Sequence, residues 1–164
     1  MKELLSQYAT YNIWANNEML KQILLLKKEQ QQQEIVSSFS SIYKTVFHLW
    51  DAESIWWQRL KLQEQITRPS DTKDISMQEV ANGWQQQSKF WNGWVNKASD
   101  AQIDHVFAYQ NTKKEQFKQP VYQMLLHLFN HGTYHRGQLV IMLRQLGVGK
   151  IAATDFVHWS RSKK

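Results

Sequence analysis

Residues 120–146, PVYQMLLHLFNHGTYHRGQLVIMLRQL, place His127, His131 and His135 at intervals of four. Val121, Met124, Leu125, Leu128, Leu139, Met142, Leu143 and Leu146 recur at threes and fours, the period of one helix face. The stretch predicts a single long helix. With Val121 and Leu128 as heptad a positions, His135 also falls at a, His131 at d and His127 at g. His135 then lies near the centre of the apolar stripe, His131 at its edge and His127 roughly 40° further round. Side chains four apart on a helix stand one above the other, so two imidazoles can reach one metal ion from a rigid support. Taken singly, either core histidine also fits a hydrogen-bonded structural residue. As a stacked pair with no charge run nearby they point to metal, with a third ligand to be found elsewhere.

On either side of this helix the pattern changes. Pro120 fits its first position and Gly147-Val148-Gly149 ends it, while residues 151–159 carry enough apolar side chains to pack back on the rest. Residues 100–119 alternate weakly and suggest a small hairpin or an extended crossover. Further back, Ser76 with Glu79 three residues on forms a capping box, and Ile75 with Val80 a hydrophobic staple. A third helix follows, with Met77, Val80, Trp84, Trp91 and Trp94 as core. Residues 63–75, with Arg68-Pro69-Ser70-Asp71, read as a loop.

A second helix is expected over Ile35–Leu62. Its stripe is Phe39, Ile42, Tyr43, Val46, Leu49, Trp50, Trp57 and Leu60, with Glu53 inside it. A seam of small residues, Ser41, Thr45 and Ala52, runs opposite and includes His48. His48 is off the main apolar face and by itself reads as a surface histidine, although such a seam can border a pocket. The first helix is expected over residues 3–28, with Leu4, Tyr8, Tyr11, Ala15 and Met19 on one side. The polar run Glu29–Glu34 is its frayed end or a loop. Together these predict an all-α protein, an up-down four-helix bundle with a long crossover or small hairpin before the last helix, as one domain over residues 1–164. Bundles of this kind build metal sites from inward side chains on facing helices, which makes His48 a partner for His131 and His135.

Composition narrows the chemistry. The 164 residues suffice for a real core, with 42% hydrophobic residues and eight tryptophans. Only two prolines and six glycines interrupt it, which favours long helices. There is no cysteine, so no disulfide, thiolate ligand or cysteine nucleophile. The net charge of +6 raises a nucleic-acid reading. The basic residues are scattered, however, with adjacent pairs only at Lys27-Lys28, Lys113-Lys114 and Lys163-Lys164. They read as a solvated surface and no nucleic-acid partner is expected. No secretory or membrane-spanning run is evident, so a cytoplasmic protein with no membrane partner is expected.

Four segments carry a family resemblance. His127-Leu-Phe-Asn-His131-Gly-Thr-Tyr-His135-Arg-Gly-Gln138 resembles the last-helix signature of the DinB/YfiT-like superfamily. Val46-Phe-His48-Leu-Trp-Asp-Ala-Glu-Ser-Ile-Trp-Trp57 resembles its second-helix motif. Tyr11-Asn-Ile-Trp-Ala-Asn16 and Thr154-Asp155-Phe156-Val157 are similar to its first helix and C-terminal segment. The resemblance implies a four-helix bundle holding a divalent metal, nickel or zinc, on His48, His131 and His135. It also implies relatives that include thiol-dependent transferases and isomerases, and frequent dimers.

The leading expectation is a metal-dependent enzyme, a thiol S-transferase or related hydrolase, taking a small-molecule thiol and an electrophile. Three neutral imidazoles leave coordination positions open, as catalytic sites require. Glu53 is the expected catalytic general base. Asp51 is a second carboxylate, which reads more simply as exposed or salt-bridged. The alternative is a non-catalytic, metal-stabilised dimeric module of a stress response. Leu126, Phe129 and Val140, on the flank of the last helix, are expected to face another subunit of a homodimer.

Overall fold

The computed structural model of the chain describes residues 1–71, 75–111 and 113–162. Part of the expected 63–75 loop, Thr112 and the Lys163-Lys164 pair lie outside them. Four long helices form the bundle: α1 (Lys2–Ile23), α3 (Ile42–Leu60), α4 (Met77–Lys97) and α6 (Val121–Gln145). Short helices α2 (Lys28–Gln32) and α5 (Asp100–Asp104) lie in the connections, and α7 (Phe156–Arg161) closes the chain. Strands β1 (Val106–Gln110) and β2 (Gln116–Pro120) pair antiparallel from Val106↔Pro120 to Gln110↔Gln116. That is the hairpin expected before the last helix. No described helix is long and apolar enough to cross a membrane.

Local chemistry explains the ends of these elements. Ser76 Oγ accepts from the Glu79 amide while the Glu79 carboxylate accepts from Ser76, the expected capping box. Gly147, at φ +83°, donates to Arg144 while Val148 donates to Leu143, a Schellman ending that a left-handed glycine permits. Pro120 sits one residue outside its expected position, as the N-cap of α6. The second long helix begins seven residues later than expected. Ser41 caps it by accepting from Lys44 N, and Ile35 N donates to Ser40 O. Serines compete for backbone hydrogen bonds, so the run Ser37-Ser38-Phe39-Ser40-Ser41 ends helical continuation that its apolar neighbours favour.

The helices run in an order other than simple alternation. Contacts of Trp50 with Gly83 and of Trp57 with Trp91 make α3 and α4 parallel. His48 against His135, Trp56 against His127 and Thr45 against Met142 make α3 and α6 antiparallel. Ser6 bonded to Asn96 and Gln85 bonded to Asn17 make α1 and α4 antiparallel. The directions are therefore up, down, down, up. What allows this is the link from α3 to α4, which returns along α3 through the Gln58–Thr67, Asp51–Ser70 and Tyr43–Ile75 bonds.

Two large apolar clusters fill the bundle, and a third joins Tyr11 and Ala15 to Trp159 of the tail. One gathers Met19, Leu20 and Ile23 with Ile42, Val46, Leu49, Val80, Trp84, Leu139 and Leu143; the other gathers Leu5 and Ala9 with Trp91, Val95, Leu125, Leu128 and Phe129. Phe129 is thus core, not the flank of a dimer. Half-buried Leu126 and Val140 also pack against these clusters in the same chain. On α1 the expected core position Leu4 is exposed and Leu5 is buried instead. The tail packs back as expected, with Phe156 and Trp159 on Tyr8 and Tyr11, and Tyr11 Oη donating to Thr154 O at 2.6 Å.

Candidate metal centre

Between the two large apolar clusters lies a polar layer. Glu53 from α3 is fully enclosed there. Its Oε1 accepts from Trp84 Nε1 at 2.9 Å and Asn12 Nδ2 at 3.2 Å, and its Oε2 accepts from Ser88 Oγ at 2.8 Å. The oxygens of Asn12 and Asn16 accept in turn from Arg136 Nη1, at 2.7 and 2.8 Å. Gly132 makes room for this, since a Cβ there would meet Arg136 Nη1 and Asn12 Oδ1 at 3.1 Å. Burial pushes the Glu53 pKa up to about 7, against the pull of the Ser88, Trp84 and Asn12 bonds and of Arg136.

The histidines stand on the other side of α3, about 140° round the helix from Glu53. His48 Nε2 lies 3.0 Å from His131 Nε2, and His135 Nε2 lies 3.1 Å from the same atom. One ligand atom from each of the three lies within 4.8 Å of the others. His135 Nδ1 donates to Gln138 Oε1 at 2.7 Å, and Gln138 Nε2 donates to Ser38 Oγ at 2.9 Å. That bond puts the His135 proton on Nδ1 and leaves the Nε2 lone pair facing the other rings. Phe39 stacks on His48 with ring centres 4.0 Å apart.

The cluster fits a cation better than it fits itself. His131 Nε2 carries either one proton or one lone pair, so it cannot make good hydrogen bonds to both neighbours at once. A cation receives three lone pairs together. Nitrogens about 2.0–2.1 Å from one tetrahedral ion lie roughly 3.3 Å apart, close to the 3.0 and 3.1 Å separations about His131. Burial, with His135 beside it, lowers the His48 pKa to about 4. Burial and the neighbouring His135, His48 and His127 lower that of His131 to about 3, and burial lowers His135 too, opposed by the Gln138 bond. All three are neutral near pH 7, the form that ligates metal.

His48 and His131 border a cavity of about 640 Å³, with Phe39, Asp51, Ala52, Ile55, Trp56, Arg59 and His127 among its other walls. The small-residue seam beside His48 thus contributes Ala52 to a pocket. His127 is exposed and packs on Trp56, with ring centres 5.5 Å apart, outside the three-nitrogen cluster. Glu53, expected as the general base, faces the polar layer and is absent from these walls. Asp51 is the carboxylate at the cavity: its Oδ1 accepts from Ser70 N at 2.9 Å, and burial raises its pKa.

Comparison with known proteins bears on the family and the fold. The model of the DinB family matches residues 1–163. The chain belongs to the DinB family. It is 30% identical to Protein DinB of Bacillus subtilis (strain 168), over 95% of this chain and 93% of that protein. The crystal structure of a DinB-like protein from Bacillus cereus ATCC 10987 aligns with a TM-score of 0.69 at 20% identity. That alignment covers 92% of this chain and 95% of the other, and it supports the fold. What reading the sequence of this DinB-family chain missed is the polar layer. Asn12 and Asn16 share the buried face of α1, and Arg136 lies seven residues beyond core Phe129. Asn12 and Asn16 among the apolar residues of α1, with Glu53 inside the stripe of α3, were the available signal, whereas Arg136 shares with Phe129 a flank of α6 that its period alone leaves outside the core.

Proposed function

We propose that His48, His131 and His135 hold a divalent metal, nickel or zinc, and that the protein is a metal-dependent enzyme, a thiol S-transferase or related hydrolase. The observation that carries this reading is the convergence of three neutral imidazole nitrogens beside a cavity large enough for a small molecule. A divalent ion on such ligands supplies Lewis acidity, lowering the pKa of a thiol or water so that thiolate or hydroxide is available near neutral pH.

The chain's own residues set the rest. Gln138 fixes the ring of His135, and Phe39 fixes that of His48. Ala52, Ile55 and Trp56 give the cavity an apolar wall that excludes water from an electrophile. Asp51 is the wall carboxylate able to take up the proton a thiol or water releases, and Glu53 orders the polar layer behind it. With no cysteine in the chain, the thiol arrives as a cosubstrate. A homodimer belongs to this reading, through Tyr134 and Ile141, which are exposed one heptad apart on α6. Monomer mass by light scattering at micromolar concentration would remove that part.

The test is metal analysis of the purified protein, then thiol addition and conjugation to an aryl halide with several metals and thiols. A thiol added to the zinc- or nickel-loaded protein should release protons. Conjugation should need the metal and be lost in His48→Ala. Metal-independent conjugation, or no rate across the panel, would favour the non-catalytic module.

A further inference from the structure

Along α3 a strip of His48, Ala52, Ile55, Trp56 and Arg59 borders the cavity, with Lys44, Phe47 and Asp51 on the same helix also in its wall. His48 and Arg59 are eleven residues apart, so they share a face to within about 20° and their backbones are separated by roughly 16 Å along the axis. One end of the strip is the histidine cluster. At the other end the Arg59 guanidinium stands over Trp56 at 4.6 Å and over Tyr109 at 5.3 Å.

This guanidinium is positioned but not neutralised. Among the described residues no carboxylate lies within 4 Å of it, and its Nε is enclosed without a hydrogen-bond partner. The other guanidinium of the cavity, Arg68, is occupied: its Nε and Nη2 donate to Asp71 Oδ1 at 3.1 and 2.7 Å. Lys44 is exposed, lies one turn before His48 at the far end, and donates to Ser40 Oγ. A partly desolvated cation without a counter-charge is costly, and two aromatic faces only partly offset that cost. A planar guanidinium held still matches a carboxylate with two parallel hydrogen bonds.

We propose that Arg59 is the anion-binding end of this cavity and that the molecule taken up carries a carboxylate there, with its reacting group towards the histidines. The proposal rests on the cavity being the substrate site of the function proposed above. A carboxylate is favoured over a phosphate because one unpaired guanidinium balances one negative charge, while a phosphate dianion calls for more. Ile55 and Trp56, between the two ends, suit an apolar or aromatic middle.

The test is calorimetric binding of 4-phenylbutyrate, its uncharged amide and phenyl phosphate to the full chain, in metal-free and zinc-loaded forms. The carboxylate should bind at least about tenfold more tightly than the amide in both forms, as a charge-assisted pair with arginine implies. Arg59→Gln should abolish the preference and Arg59→Lys should keep part of it. Lys61→Gln, which removes the same charge two residues away and outside the cavity, should leave it unchanged. Equal binding of carboxylate and amide to the unaltered protein overturns the proposal. So do a preference that persists in Arg59→Gln, tighter binding of phenyl phosphate, and no binding by any probe at millimolar concentration. The charge comparison on the unaltered chain does not depend on any variant folding. A protein that takes up no zinc yet shows the Arg59-dependent preference supports this subsite while removing the metal reading.

Discussion

Replacing Glu53 by glutamine removes a titrating group from the polar layer while keeping its size and its acceptor oxygen. The carboxyl titrates at 4.5 in an exposed chain and at about 7 in the fold, because burial outweighs the donors around it. A carboxyl with a raised pKa in the folded chain favours folding while protonated. Its contribution is present below about 4.5 and is lost as pH rises through about 7. At about 1.4 kcal/mol per pH unit, that loss amounts to roughly 3 kcal/mol. The histidine cluster works in the opposite sense. With folded pKa values near 4 for His48 and 3 for His131, its contribution is present above 6.5 and is lost as pH falls through those values. The unaltered protein alone therefore mixes two trends, and the difference between it and Glu53→Gln isolates one. Urea unfolding of both chains in chelator, at intervals from pH 4.5 to 8.5, should show the glutamine variant gaining about 3 kcal/mol relative to the parent across that range. A difference that stays constant with pH would refute the reasoning: Glu53 would be ionised throughout, with Arg136 as its counter-charge despite the intervening Asn12 and Asn16.

Two further outcomes follow from other contacts. Gln138→Leu removes the acceptor on His135 Nδ1 and frees the ring tautomer, so metal affinity measured by chelator competition should fall about 10- to 100-fold; unchanged affinity would remove Gln138 from the site. Gly83→Ala would put a Cβ 2.2 Å from the Trp50 ring, where α4 packs on α3, and should cost about 1–3 kcal/mol in urea unfolding; an unchanged midpoint would mean that Trp50 can swing away.

Much of the centre was legible in the sequence because it lies on one regular helix. The 3.6-residue period placed His135 among buried residues, His131 half-buried and His127 exposed, as the structure has them. The capping box at Ser76 and the glycine after α6 were legible for the same reason: each depends on residues within one turn. Features set by tertiary contacts were not. Phe39 matches the period of α3 but belongs to the loop before it, where it covers His48. Phe129 looks like a flank residue on α6 alone and becomes core in a cluster with Leu5 and Ala9 of α1, with Tyr8 stacked on it. The two carboxylates of α3 exchange places by helix phase: Glu53 lies about 140° from His48 and faces donors from α1 and α4, while Asp51 lies about 60° from it, at the cavity wall, where Ser70 N donates to it. Helix direction was hidden too, since a polar link of that length serves a parallel or an antiparallel neighbour equally well.

The central claim is that His48, His131 and His135 form one divalent-metal site. The most direct measurement is metal content per chain after loading with zinc or nickel and gel filtration, for the unaltered protein, His135→Ala and His127→Ala. The account predicts one ion per chain in the unaltered protein, none retained by His135→Ala and most of it kept by His127→Ala. Full metal content in His135→Ala would contradict the ligand set, and loss in His127→Ala instead would move the ligand pair to His127 and His131.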